Sequence, residues 1–132
     1  MKIVVDTSSI IAVIVGEPEK DRLIELTQNA TIVAPASVSW EIGNAFSAML
    51  KRSRINLEQA VEAIKIYQKI TLEIVDVNLK ESVELAGKLN IYAYDAYILQ
   101  CAIENNSPLI SLDRNLVKLA KCEGIQVIEV EK

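Results

Sequence analysis

Met1-Lys2-Ile3-Val4-Val5-Asp6-Thr7-Ser8-Ser9 opens the chain. Ile3-Val4-Val5 is a short, β-branched apolar run that reads as a buried first strand. Asp6 then sets a carboxylate at the end of that strand. An Asx turn with Thr7 and Ser8 accounts for it locally; a charged residue closing a buried strand also suits a functional site.

From this strand outward, strand and helix patterns alternate to the end. Thr7 to Val15 reads as a short helix or turn, and Pro18 suits the first turn of a helix to about Gln28. Thr31-Ile32-Val33-Ala34 reads as a second strand, ended by Pro35 and followed by a long helix to about Arg52. Ser53 to Asn56 is a basic turn, Leu57 to Ile70 a helix, Leu72 to Val75 a strand, and Leu79 to Leu89 a helix. Asp95 opens a helix to Glu104. Leu109-Ile110-Ser111 is a strand, and Asp113 caps a helix to Cys122 that Gly124 stops. Ile125 to Val130 completes the series as a last strand. Such alternation predicts an α/β fold, a central parallel sheet covered by helices on both faces. In sheets of this kind ligands bind beyond the carboxyl ends of the strands, where Asp6 and Asp113 fall.

The 132 residues suffice for one domain, expected to span 1–132, with an aliphatic core. The longest apolar run, Ile10 to Val15, is far short of the ~20 residues that span a bilayer. No signal-peptide pattern opens the chain, so a cytoplasmic protein is expected. There is no histidine, which removes every catalytic triad built on imidazole. Cys101 and Cys122 are expected to be reduced and mostly buried in helices, since two cysteines without histidine make no zinc site. The net charge is −4, from 14 basic and 18 acidic residues, which weakens a nucleic-acid reading without excluding it. Four acids committed to a cation would leave the remaining charges balanced.

Those four are Asp6, Glu41, Asp95 and Asp113. Glu41 lies at the edge of the apolar stripe Val38, Ile42, Ala45, Phe46 and Met49, where a carboxylate either reaches water or needs a partner. Asn44 sits one step further round. Asp95 shares a helical face with Leu99 and Ala102 and so points where core residues point, although an acid also suits a helix N-terminus for the dipole alone. Asp113 reads equally as an ordinary N-cap. Taken together, four carboxylates without imidazole suit a hard divalent cation, Mg2+ or Mn2+, that keeps several waters. Without the cation they would repel; two carboxylates ~4 Å apart do so by about 4 kcal/mol at an effective dielectric of ~20. Trp40 points away from the apolar stripe, beside Gly43 and Ser47, and is expected to pack in the core.

Four short stretches now fall in order: Val5-Asp6-Thr7-Ser8, Glu41-Ile42-Gly43-Asn44, Tyr94-Asp95-Ala96-Tyr97 and Leu109-Ile110-Ser111-Leu112-Asp113. With them the whole chain resembles the PIN-domain family, most closely the VapC type of toxin ribonuclease. The resemblance implies a three-layer α/β/α sandwich and a metal-dependent endoribonuclease acting on RNA. It also implies a frequent homodimer and inhibition by a cognate antitoxin. It makes Asp6, Glu41, Asp95 and Asp113 the acidic set. Asp6 and Asp95 would bind the metal, with Glu41 and Asp113 joining directly or through water. Ser8, Asn44 and Ser111 would be polar support, Ser111 standing where the family often has Thr. RNA phosphates could be met by Lys51, Arg52 and Arg54, or by Arg114 and Lys118. Two rivals are a non-catalytic module of the same fold and a receiver-like phosphoacceptor domain. The latter would want an acidic pair after the first strand and a lysine after a late one; here a single Asp is followed by Thr7-Ser8-Ser9.

Overall fold

The computed structural model of the protein describes residues 1–131. Four strands, β1 (Lys2–Val5), β2 (Thr31–Pro35), β3 (Glu73–Val75) and β4 (Leu109–Ile110), form one sheet in the order β3-β2-β1-β4. Every pairing is parallel: Val4 lies against both Val33 and Leu109, and Ala34 against Ile74. β1 is central, and its Ile3, Val4 and Val5 are buried, as a strand covered on both faces requires. Seven helices complete the described residues: α1 (Thr7–Val15), α2 (Lys20–Thr27), α3 (Ser37–Lys51), α4 (Leu57–Lys69), α5 (Leu79–Leu89), α6 (Ala93–Glu104) and α7 (Arg114–Cys122). α5 packs on α6, which lies over β1 and β2, while α1 touches α2, α3 and α4. The result is the three-layer α/β/α sandwich with a parallel centre.

Local signals set the boundaries. Asp6, Asn56, Asn78 and Asp113 each cap a helix through a side-chain oxygen, and Gln59 closes a capping box with Asn56. Gly16 ends α1 at φ 75°, a left-handed position that favours glycine. No helix among the described residues is long and apolar enough to cross a membrane.

Two local expectations need correction, and a third in part. The last strand, expected from Ile125 to Val130, is reduced to a single parallel bridge between Leu109 and Val127. Only Leu109 of the two-residue β4 turns its backbone outward. It donates to Gln126 O and accepts from Ile128 N, both at 2.9 Å, whereas Pro108 O and Ile110 O serve β1. Trp40 is 74 % exposed rather than packed in the core. Val38, Ile42 and Phe46 take the inward face of α3, and Trp40 stands nearly opposite them at helical spacing. Cys101 is buried as expected, but Cys122, the last residue of α7, is exposed.

The chain lays down β1, β2 and β3 in one direction across the sheet and then returns to place β4 on the other side of β1. The order therefore reverses between β1 and β4. A crevice opens at such a switch point, beyond the carboxyl ends of the strands.

Candidate metal centre

Asp6 stands at that crevice, directly after β1. It is 5 % exposed, and its carboxylate is held by a ring of hydroxyls. Ser8 Oγ donates to both carboxylate oxygens at 2.9 and 2.8 Å, Ser9 donates through its backbone N and its Oγ at 3.2 and 3.0 Å, and Ser111 Oγ donates at 2.7 Å. Burial pushes the Asp6 carboxyl above its ordinary range; the bonds from Ser111, Ser8 and Ser9 pull it part of the way back. Asp6 is at the same time the N-cap of α1. The local turn and the site placement are therefore one arrangement.

Ser8 and Ser111 tie β1 to the end of β4. Ser8 Oγ accepts from Leu112 N at 3.2 Å, and Ser111 Oγ accepts from Asp113 N at 3.0 Å while donating to Asp6. One hydroxyl thus links two of the four acids. Asp113 caps α7, its Oδ1 accepting from Asn115 N at 2.9 Å and Leu116 N at 3.1 Å, and is itself exposed.

Glu41 projects from the first half of α3. One of its oxygens, Oε2, is closed off from solvent and has no hydrogen-bond partner. Burial pushes its carboxyl up to about 7, with Asp95 and Asp6 adding like charge and the nearby Thr7 hydroxyl opposing them. Thr7 lies near enough to favour the charged form, yet without the alignment of a direct hydrogen bond. Asp95 is half-buried in the first turn of α6, whose N-cap is Tyr92 with no side-chain cap. Its carboxyl is raised by burial, then by Asp113 and Asp6. Asp95 makes no side-chain cap, but its place in the first turn of α6 still suits the helix dipole. Like charge thus links Glu41 to Asp95 and Asp6, and Asp95 to Asp113 and Asp6.

The fit to a cation is a loose one. Among the described residues no three carboxylates or thiolates are already drawn close enough to hold an ion. The donor set is all oxygen, with no imidazole and no thiolate in it. That suits an ion taking one or two carboxylates directly and others through water, as Mg2+ does.

The remaining candidates lie further out. Asn44 is exposed on α3, its backbone carbonyl accepting from Ser47 Oγ at 2.8 Å. Lys51, Arg52 and Arg54 are exposed at the C-terminal end of α3, roughly 15 Å along the helix from Glu41 at ~1.5 Å per residue. Arg114 and Lys118, also exposed, sit on α7 beside Asp113, with Arg114 3.9 Å from Glu131. Ser9, which donates twice to Asp6, was not among the expected support residues. The run Thr7-Ser8-Ser9 after a strand-end acid was the available signal.

A sequence model of the PIN domain family matches residues 3–121. The chain belongs to the PIN domain family. Solved structures agree on the fold. PAE2754 from Pyrobaculum aerophilum superposes with a TM-score of 0.73 at 21 % identity, over 96 % of this chain and 83 % of that one. VapBC2 from Rickettsia felis, bound to a DNA fragment from their promoter, gives 0.72 at 23 % identity over 97 % and 98 % of the two chains. VapBC-1 from nontypeable Haemophilus influenzae gives 0.69 at 19 % identity over the whole of both. No curated protein sequence matches this PIN domain at a significant level.

Proposed function

We propose that this PIN domain is a Mg2+- or Mn2+-dependent endoribonuclease and the toxin of a toxin–antitoxin pair, acting in the cytoplasm. The observation that carries the reading is the like charge that Asp6 sets on Glu41 and Asp95, and Asp113 on Asp95, with the carboxyls of Asp6, Glu41 and Asp95 all raised. Family membership and the likeness to VapBC assemblies support it.

Asp6 and Asp95 would hold the cation, with Glu41 and Asp113 joining directly or through water. When bound, such an ion stabilises charge on a phosphoryl oxygen and lowers the pKa of water. The protein's own residues do the rest. Ser8, Ser9 and Ser111 fix the Asp6 carboxylate so that it need not reorganise. Glu41, where it does not bind the ion directly, can take a proton from an attacking water. Asn44 would give polar support at the rim. Arg114 and Lys118 would meet phosphates next to the cleaved bond, and Lys51, Arg52 and Arg54 phosphates further along the strand.

A cognate antitoxin would close the site by setting an Arg or Lys against the acidic cluster. A homodimer is the expected assembly. The experiment is RNA cleavage with chelator, then with added ions. Loss under chelation and recovery with Mg2+ or Mn2+ supports the reading. Recovery with Zn2+ alone would contradict the all-oxygen site, and no cleavage under any condition would leave the non-catalytic module.

A further inference from the structure

Three side-chain oxygens among the described residues are buried without a hydrogen-bond partner: Thr7 Oγ1, Ser37 Oγ and Glu41 Oε2. They lie on elements that start at one end of the sheet. Thr7 begins α1 just beyond β1, and Ser37 begins α3 just beyond β2. β1 and β2 are paired neighbours, so both hydroxyls stand at the same end of the sheet. Side chains on a helix lean toward its N-terminus, so Glu41 lies over Ser37, four residues earlier on the same face. The Thr7 hydroxyl is near enough to favour the charged form of Glu41 without an aligned hydrogen bond to it.

Buried polar groups are rarely left unpaired. A small polar pocket with a few convergent oxygens is the usual seat of an internal water. Two of the three oxygens here are neutral hydroxyls, which suits a water better than a bare divalent ion. We infer that Thr7, Ser37 and Glu41 form a buried oxygen pocket that holds an ordered water, and that through it the two hydroxyls position the Glu41 carboxylate. The water donates to Glu41 Oε2. Each hydroxyl can donate to it or accept from it, a role no methyl group can fill. Thr7 and Ser37 are then positioning residues, and only that role rests on the ribonuclease reading; the pocket itself does not.

The test is a double-mutant cycle on the whole chain. Thr7→Val keeps the shape and removes one hydroxyl; Ser37→Ala removes the other. If a water is shared, each variant lowers Tm by a few °C, and the double variant loses less than the two together. If the oxygens are simply unpaired, Thr7→Val melts at or above wild type. That result, or strictly additive losses, overturns the pocket. The positioning role is read in RNA cleavage by an active wild type. Thr7→Val should lower kcat about tenfold at unchanged KM, and Thr7→Ser should restore both kcat and Tm. An unchanged kcat in Thr7→Val overturns the positioning role even where the pocket stands. A wild type that cleaves no RNA removes the proposed function, while the melting cycle still decides the pocket.

Discussion

Glu41 makes the metal-free protein sensitive to pH in a direction opposite to that of an ordinary ion-paired carboxylate. Its carboxyl rises from an ordinary 4.5 to about 7 in the folded protein, first through burial and then through Asp95 and Asp6. The folded state thus keeps a proton that the unfolded chain has lost. The resulting stability is fully present below the ordinary value and is lost as pH rises through about 7. At full burial the displacement corresponds to about 3 kcal/mol. Glu41 is only half-buried, and solvent screening cuts this roughly in half, to about 1.5 kcal/mol. For a chain of this size that is about 5 °C in Tm. The assay is thermal melting in chelator from pH 5 to pH 8, for wild type and Glu41→Gln. Wild type should lose about 5 °C more than the variant over that interval. Parallel curves, or a wild type that gains stability with rising pH relative to Glu41→Gln, would refute the reasoning.

Asp95→Asn removes a charge repelled by Asp113 and Asp6 and disturbs no cap. Helix-dipole loss of about 0.5 kcal/mol opposes the gain, so Tm in chelator should rise by roughly 2–4 °C; a lower Tm would mean that Asp95 is held for structural reasons. Ser111→Ala removes the donor to Asp6 and the acceptor for Asp113 N together. It should cost about 2 kcal/mol, seen as a fall in the urea midpoint, and Ser111→Thr should recover most of it; an unchanged midpoint would dispute the linkage. Arg52→Ala with Arg54→Ala should weaken RNA binding and flatten its salt dependence by roughly 1.4 in log–log slope, for two phosphates on a single strand. An identical slope would remove that turn from the RNA path.

The sequence was readable where a residue's role is set by its near neighbours along the chain. The β-branched run Ile3-Val4-Val5, the cap at Asp113, and the apolar stripe Val38, Ile42 and Phe46 are such cases, and all appear in the structure. It was unreadable where the role depends on what lies across space. Val127 and its neighbours carry a strand pattern, but β4 offers them one outward-facing residue. Trp40 was correctly set away from the apolar stripe, yet no described element covers it. The placing of Asp6 after β1 and of Asp113 before α7 followed from strand ends and helix starts. Of the hydroxyls, Ser8 and Ser111 were expected and bond Asp6, whereas Thr7 and Ser37 were not singled out, since only the pairing of β1 with β2 brings the starts of α1 and α3 to the same end of the sheet. Asp113 is the cap the sequence predicted, and it also adds like charge to Asp95.

The central claim is that the gathered carboxylates cleave RNA with a divalent cation. Asp95→Asn tests it most directly, because Asp6 also anchors four local hydrogen bonds from Ser8 and Ser9 and one from Ser111, whereas Asp95 caps nothing. The measurement is RNA cleavage in Mg2+ by wild type and by Asp95→Asn, with folding of both checked by circular dichroism. The account predicts cleavage by wild type and none by the folded variant. Cleavage by folded Asp95→Asn at the wild-type rate would contradict it.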